Sequence, residues 1–397
     1  MKHRYDFIYL FDAIDANPNG DPDAGNMPRF DAETGHGLVT DVCLKRKVRN
    51  FVTLTKGLQS PYGIYVQEGS VLGRKHTEAF QELGINLGQE SKAKITEEQS
   101  EAFSACGLPD GIRTEEDEEE QFWVVAEGTI DKVEVKAWLK DADLEKTCKG
   151  ILTKLLKEAK GRKPKKEETE AGKECMCKHY FDIRAFGAVM ALKSAPNCGQ
   201  VRGPVQMSFS RSIDPIVTME HSITRCAVAT EAESLKQDGG NRTMGRKFTV
   251  PFALYRSHGF VNPYLAEREL ADGKKDGTLF SEGMNCGEKK DTKDNSDLEL
   301  LFDSLENAFQ FDQSAARPAG SMNVRGLLVF RHETPLGSCA SHKLFDALKI
   351  QRIDPEKPAR SIDDYRITLF DKPINDFAEV QDLGAFGFNG ITLIRRI

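Results

Sequence analysis

The first stretch whose residue types suggest chemistry is Asp15-Ala16-Asn17-Pro18-Asn19-Gly20-Asp21-Pro22-Asp23. Its opening follows a calcium loop, D-x-[DN]-x-[DN]-G, in which Asp15, Asn17 and Asn19 would offer oxygens and Gly20 the sharp turn. The template then fails. The twelfth position should be a bidentate Glu and is Asn26, Pro18 lies inside the loop, and the preceding run YDFIYLF reads as a strand rather than a helix. A rigid, turn-rich loop is the better reading, with no metal in it. Cys175-Met176-Cys177-Lys178-His179 is the tightest group of soft ligands. Zinc ordinarily needs a C-x-x-C pair and a further ligand, so free thiols are expected there. Asp12, Asp15, Asp21 and Asp23 with His36 would suit metal-dependent hydrolysis only if they converged, because phosphoryl chemistry needs clustered carboxylates. There is no G-x-S-x-G, P-loop or H-E-x-x-H. No catalytic residue and no cofactor are assigned.

Cations offer a second kind of chemistry. In TDVCLKRKVRNFVTL, Leu44, Val48, Phe51 and Val52 fall on one helical face, while Lys45, Arg46 and Arg49 fall on the neighbouring arc. Thr40 is a suitable N-cap. The arc suits either a solvated helix face or a phosphate-binding one. Farther along, Arg202, Arg211, Arg225, Arg242, Arg246 and Lys247 are interleaved with Met207, Met219, Leu235 and Met244. Guanidinium groups fork onto phosphates and apolar wedges separate stacked bases, so a protruding ribbon with both would clamp nucleic acid. Each arginine is equally suited to a salt bridge.

The elements that must position these residues follow from periodicity. Residues 4–14 form a first strand, and the basic helix follows the loop. Residues 56–178 are Lys- and Glu-rich, carry the acidic block EEDEEE at 115–120, and include helical patterns around ITEEQSEAFSACG and DADLEKTCKGILTKLLKEAKG. They read as a large insertion, with 161–174 a solvated, partly mobile loop. Then come strand-like YFDIRAFGAVMAL, alternating GPVQMSFSRSIDPI, two long arms around the turn KQDGGN, the helix DLELLFDSLENAF, the strand NVRGLLVFRHE, the short helix HKLFDALKI and a last strand in FNGITLIRRI. Without insertions the order is β-α-β-β-α-β, the ferredoxin-like plan on which RRM domains are built. The RRM third-strand motif is matched by Arg184-Ala-Phe-Gly-Ala-Val189 at Arg184, Phe186, Gly187 and Val189 only. Ala188 and Ala191 supply no stacking ring, which argues against base recognition on the sheet.

The chain has 397 residues and a net charge of −7, with 39% hydrophobic and 29% charged residues. That is a soluble globular composition large enough for two domains or one decorated domain. There is no apolar run of membrane length and no signal peptide is apparent, so a cytoplasmic protein is expected, and the nine cysteines suit a reducing compartment. The negative sum hides local basic balance. Residues 41–78 and 181–256 each come to roughly +4, and a polyanion meets the distribution rather than the sum.

NPNGDPDAGNMPR followed by ETGHGLVTDVCLKRKVRNFV resembles the start of the backbone subunit of the type I-C CRISPR interference complex, the Cas-seven or Csd-two family of the repeat-associated mysterious protein superfamily. DIRAFGAVM, GPVQMSFSRSIDPI and MGRKFTVPFALYRSHGFVNPYLA are similar to later landmarks of that family. The resemblance implies an α+β protein: an RRM-like (ferredoxin-like) palm from 1–55 and 179–397, a helical finger insertion at 56–178 and a β-hairpin thumb near 210–247. It implies a non-catalytic subunit that polymerises along CRISPR RNA, displaces nucleotides with its thumb and leaves the spacer to pair with target DNA. The implied partners are CRISPR RNA, target DNA, further copies of the chain, the RNA-end cap, large and small Cascade subunits, and a recruited helicase-nuclease. The implied RNA contacts are Asn17, Asn19, Lys45, Arg46, Arg49, Arg184, Arg202, Met207, Arg211, Arg225, Arg246 and Lys247. A metal-dependent endoribonuclease using Asp12, Asp15 or His36 is the alternative, since some superfamily members cut RNA with a loop Asp.

Overall fold

The computed structural model describes residues 1–397 apart from 110, 118–119, 129, 131, 193–194, 228–229, 237–242, 270–274, 279 and 283–295. The chain divides into two compact units, 1–57 with 204–397, and 58–203. In chain order, β1 (Tyr5–Ala16), β2 (His36–Val39) and α1 (Asp41–Lys56) precede the second unit. That unit holds α2 (Leu72–Glu82), β3 (Ser91–Ile95), α3 (Glu97–Ala105), β4 (Ile112–Glu116), β5 (Phe122–Ala126), α4 (Lys132–Asp141), α5 (Lys146–Glu158), α6 (Lys166–His179), α7 (Phe181–Phe186), β6 (Gly187–Val189) and β7 (Gln200–Arg202). The first unit resumes with β8 (Val205–Met207), β9 (Ser210–Pro215), β10 (Met219–Arg225), β11 (Thr243–Val261), α8 (Asp297–Glu306), β12 (Met322–His332), α9 (Ser341–Ala347), β13 (Leu348–Arg352), β14 (Tyr365–Leu369), β15 (Val380–Asp382) and β16 (Ile391–Arg395).

The main sheet of the first unit runs β15-β16-β12-β1-β11-β9-β2, with β8 and β10 also paired to β11. β1 lies antiparallel between β11, from Tyr5↔Val261 to Ala16↔Val250, and β12, with a bulge between Leu10 and Phe11. Successive side chains of a strand point to opposite faces, and both faces of β1 are covered. On one face Phe7 meets Phe302 of α8 edge-on at 5.6 Å, the Tyr9 hydroxyl donates to the Leu305 carbonyl at 2.8 Å, and Phe11 stacks on Tyr255. On the other, Ile8 and Leu10 join Leu328, Phe330, Leu344, Leu348, Leu369, Phe377 and Leu393 in one core. α9, β13 and β14 therefore seal the face opposite α8. His258 stacks on Phe345 at 4.2 Å, and the Arg256 guanidinium donates to the Leu348 carbonyl at 3.1 Å.

α1 is a helix for local reasons. The Thr40 hydroxyl accepts from the Cys43 amide, Gly57 closes the helix at φ 68°, and Leu44, Val48 and Val52 bury one stripe. Lys47 lies inward, ion-paired to Asp312 and 5.3 Å from the centre of the Phe309 ring.

The second unit has its own core, built from Ile95, Phe103, Val124, Val135, Leu152 and Leu156 between the β3-β5-β4 sheet and helices α3–α5. Two sequence expectations fail here. The strand expected at 180–192 is α7 followed by the short β6, and it belongs to the second unit rather than to a palm beginning at 179. In FDIRAF the polar Asp182 and Arg184 alternate with apolar residues, which reads as a strand. Yet all of Phe181–Phe186 is buried in a helix, because both polar side chains are satisfied by backbone groups, Asp182 by the Tyr65 and Val66 amides and Arg184 by the Pro61 and Cys177 carbonyls. The loop expected at 161–174 becomes the helix α6 from Lys166. Its buried positions are Gly172, Cys175, Met176 and Cys177, and a Cβ on Gly172 would come within 2.8 Å of the Phe80 ring. The apolar stripe that normally announces a helix is therefore faint. Among the described residues, no helix is long and apolar enough to cross a membrane.

Candidate nucleic-acid interface

β11 continues past the sheet. Residues 250–261 pair with β1, whereas 243–249 pair with β10 in a two-stranded ribbon, from Met219↔Thr249 to Arg225↔Thr243. Every residue of β10 is exposed. The ribbon is thus an extension of a central strand, and its orientation is held by the buried half of that strand.

Directly paired residues share a face. One face carries Met219, His221, Ile223 and Arg225 from β10, with Gly245, Lys247 and Thr249 opposite. The His221 ring lies 3.0 Å from the Thr249 hydroxyl, as this register requires. Arg225 and Lys247 supply the positive charge of this face, and there is no carboxylate among these residues. Met219 and Ile223 are 44% and 51% exposed. A Cβ at Gly245 would come within 3.3 Å of Ile223, so the glycine lets Ile223 lie across the ribbon. The other face carries Glu220, Ser222 and Thr224 opposite Phe248, Arg246 and Met244. There Arg246 pairs with Glu220 at 3.1 Å, which offsets its charge. Sequence reading placed Arg246 and Lys247 together; the register separates them. It also missed His221 and Ile223, which the alternation in MEHSITR would have revealed had the ribbon's register been known.

The remaining expected contacts divide sharply. Arg184 is buried and donates to the carbonyls of Pro61 at 2.8 Å and Cys177 at 2.9 Å. It ties the Pro61 loop to the end of α6 within the second unit, a structural role in place of the expected RNA contact. Met207 is 9% exposed, at the end of β8 opposite Gly259, so it cannot act as a wedge. Asn17 is buried, and its amide donates to the Asn26 carbonyl at 2.6 Å. Asn19 Oδ1 accepts from the Thr40 amide and hydroxyl at 3.0 and 3.1 Å. The opening loop is therefore a clasp on the N-terminus of α1, and its amides serve the fold rather than phosphate. Asp21 accepts from Asp23 N and Arg29, which departs from a calcium-ligand role.

Lys45 pairs with Asp41 at 2.7 Å, and Arg46 is exposed beside half-buried Arg49 on the outer arc of α1. Arg211 is exposed and pairs with Asp31 at 2.6 Å; that hydrogen bond holds the Asp31 carboxyl down at about 2. Arg202 is exposed at the end of β7, in the second unit. Arg225 Nε donates to the Ala227 carbonyl at 2.5 Å. Arg242 and most of the KQDGGN turn lie outside the described residues.

Among the described residues, the hydrolytic set forms no group of three possible metal ligands within 4.8 Å of one another. Asp12 is buried and accepts from Arg325 at 2.6 Å and Asn323 at 3.0 Å, Asp15 is exposed, and the His36 ring contacts the Ser212 carbonyl at 2.8 Å.

The family model for CRISPR-associated protein Cas7 matches residues 3–370. The chain belongs to the Cas7 family. A curated relative, the CRISPR-associated protein Cas7 of Haloferax volcanii, is 40% identical over 75 residues, which are 19% of this chain and 20% of the relative. The match thus spans about a fifth of that relative's length. Two solved structures are similar in part. One, described as a CRISPR RNA-guided surveillance complex, pre-nicking, contains a chain 14% identical, with a TM-score of 0.38 over 82% of this chain and 78% of its own. The other, a CRISPR RNA-guided surveillance complex, contains a chain 15% identical, with a TM-score of 0.32 over 82% of this chain and 75% of its own. In this Cas7-family chain, the ribbon face of Arg225, Lys247, His221, Met219 and Ile223 is the strongest candidate interface.

Proposed function

We propose that this chain binds CRISPR RNA as a repeated backbone subunit of a type I-C surveillance complex, without cutting it. The observation that carries the reading is the ribbon face on which Lys247, Arg225 and His221 surround exposed Met219 and Ile223 with no carboxylate. Cations would meet the RNA backbone while an apolar side chain separates neighbouring bases. The sheet supports the reading in two ways. Its strands flanking α1 and α8 run β12-β1-β11-β9, all neighbours antiparallel, which suits an RRM-like palm. Its two faces are both covered, so bases cannot stack there as on an ordinary RRM. Guide bases left unstacked remain able to pair with target DNA, and sequence specificity belongs to the RNA.

In this reading the first unit is palm and thumb, the second is the finger, and the outer arc of Lys45, Arg46 and Arg49 follows the guide backbone. Further copies of the chain, the end-cap, large and small subunits and a recruited helicase-nuclease complete the assembly. The test is size-exclusion chromatography of the chain with and without its guide RNA, before and after ribonuclease, read at 260 and 280 nm. A large, RNA-rich species that shrinks for Lys247→Ala/Arg225→Ala is expected. A species that stays small and RNA-free with the guide present would overturn the reading, and shortening of the RNA would replace it with the endoribonuclease.

A further inference from the structure

The soft-ligand cluster set aside on spacing becomes a different object once folded. α6 is helical to His179, so Cys175 and His179 stand four residues apart on one face. Glu82, the last residue of α2, meets them there. One ligand atom from each of the three, the Cys175 sulfur, a His179 nitrogen and a Glu82 carboxylate oxygen, lies within 4.8 Å of the others. Cys177 is not part of the group. It is buried two residues along the helix from both Cys175 and His179.

The geometry points to a single-ion site for Zn2+ formed by Cys175, His179 and Glu82, joining α2 to α6 within the second unit. Zinc bonds of about 2.0–2.3 Å place tetrahedral donors roughly 3.3–3.8 Å apart, so donors already within 4.8 Å need only small side-chain shifts. One sulfur, one imidazole nitrogen and one carboxylate form a borderline-soft set that suits Zn2+ better than Mg2+ or Ca2+. Three protein ligands leave a fourth position for water, which exposed Glu82 leaves open to solvent.

The imidazole is already oriented for the task. His179 Nε2 faces Glu82 Oε2 at 2.8 Å, and Nδ1 lies 2.9 Å from the Ser60 hydroxyl. Metal-bound histidines ordinarily donate their other ring N–H to a carboxylate, carbonyl or water, and the Ser60 hydroxyl is placed to accept it here. On binding, the imidazole proton resides on Nδ1 and is donated to Ser60 Oγ, the Nε2 lone pair goes to the metal, and the Cys175 thiol releases its proton to solvent. Lys178 Nζ, 3.8 Å from Glu82 Oε1, is 71% exposed and has room to swing away.

The test uses the full chain stripped with chelator and titrated with Co2+ as a spectroscopic stand-in, then with Zn2+. The expected result is one equivalent of Co2+ with a thiolate-to-cobalt charge-transfer band and tetrahedral visible absorption, both lost when Zn2+ displaces the cobalt. Cys175→Ser should abolish the band and Cys177→Ser should leave it. Glu82→Gln, at an exposed position that does not threaten folding, should weaken affinity at least about tenfold. Zn2+ should raise the melting temperature of the wild type and leave that of Cys175→Ser unmoved. No band in the wild type, a band that persists in Cys175→Ser, or unchanged affinity in Glu82→Gln would overturn the assignment.

Discussion

Two halves of one strand behave oppositely. Residues 250–261 of β11 lie against β1, where Leu254, Tyr255 and Val261 are fully buried, whereas residues 243–249 stand in a ribbon whose partner strand is exposed throughout. The buried half is stabilised by apolar area, about 1.5–3 kcal/mol for each large side chain fully removed from water. The ribbon gains little from burial and depends on that half for its direction. α8 covers one face of the sheet and α9, β13 and β14 cover the other, while exposed cationic and apolar side chains occur on the ribbon instead. The contrast separates two roles along one continuous backbone: one part holds, the other is free to touch.

The contrast is broken most severely from the buried side. Phe11→Ala removes a ring packed on Tyr255 and Phe309 and should cost about 3–5 kcal/mol in urea unfolding. Ile223→Ala on the ribbon should change stability by less than about 0.5 kcal/mol. If the two cost the same, the division into holding and touching halves is wrong. Next in size is binding. Lys247→Ala/Arg225→Ala should weaken guide RNA at least about tenfold and flatten the dependence of log K on log salt by about 1.4. Arg246→Ala, whose charge Glu220 already offsets, should change both far less. Equal effects would mean that the ribbon's two faces are not distinct.

Smaller effects lie in pH. Burial, reinforced by Arg256, holds the His258 imidazole down at about 4. The unfolded chain binds this proton near 6.5 and the folded chain only near 4. Stability from this group is therefore fully present above about 6.5 and is lost as pH falls toward 4. His258→Phe should flatten the acid limb of a melting-temperature profile, and an unchanged limb would remove His258 from that account. Least of all, Arg211→Ala should let the half-buried Asp31 carboxyl rise from about 2 toward its ordinary value, which carbon-detected NMR titration reads directly. An Asp31 value that stays put would mean that backbone amides alone hold it.

Legibility in the sequence followed contrast. β1, α1, α8, β12 and β16 were readable because each alternates or repeats at its own period beside clear caps and turns. α7 was not, since Asp182 and Arg184 alternate with apolar residues as in a strand although both are buried. α6 was not, since it packs through Gly172 and cysteines that look polar or neutral on paper. The site was legible as residue types only. Arg184, Arg246 and Lys247 are equivalent cations in a string of letters. One is enclosed by carbonyls, one is tied to Glu220, and one lies on a face without carboxylates.

By itself, then, the sequence determined the elements with strong periodicity, the caps that start and stop them, and the stock of cations, thiols and wedges. Those properties depend on residues a few positions apart. Only the tertiary structure decided which face of the ribbon Lys247 occupies, that the sheet is covered on both sides, and that Glu82 meets Cys175 and His179. Such facts depend on strand register and on contacts between residues far apart in the chain, where a shift of one position turns every side chain to the opposite face.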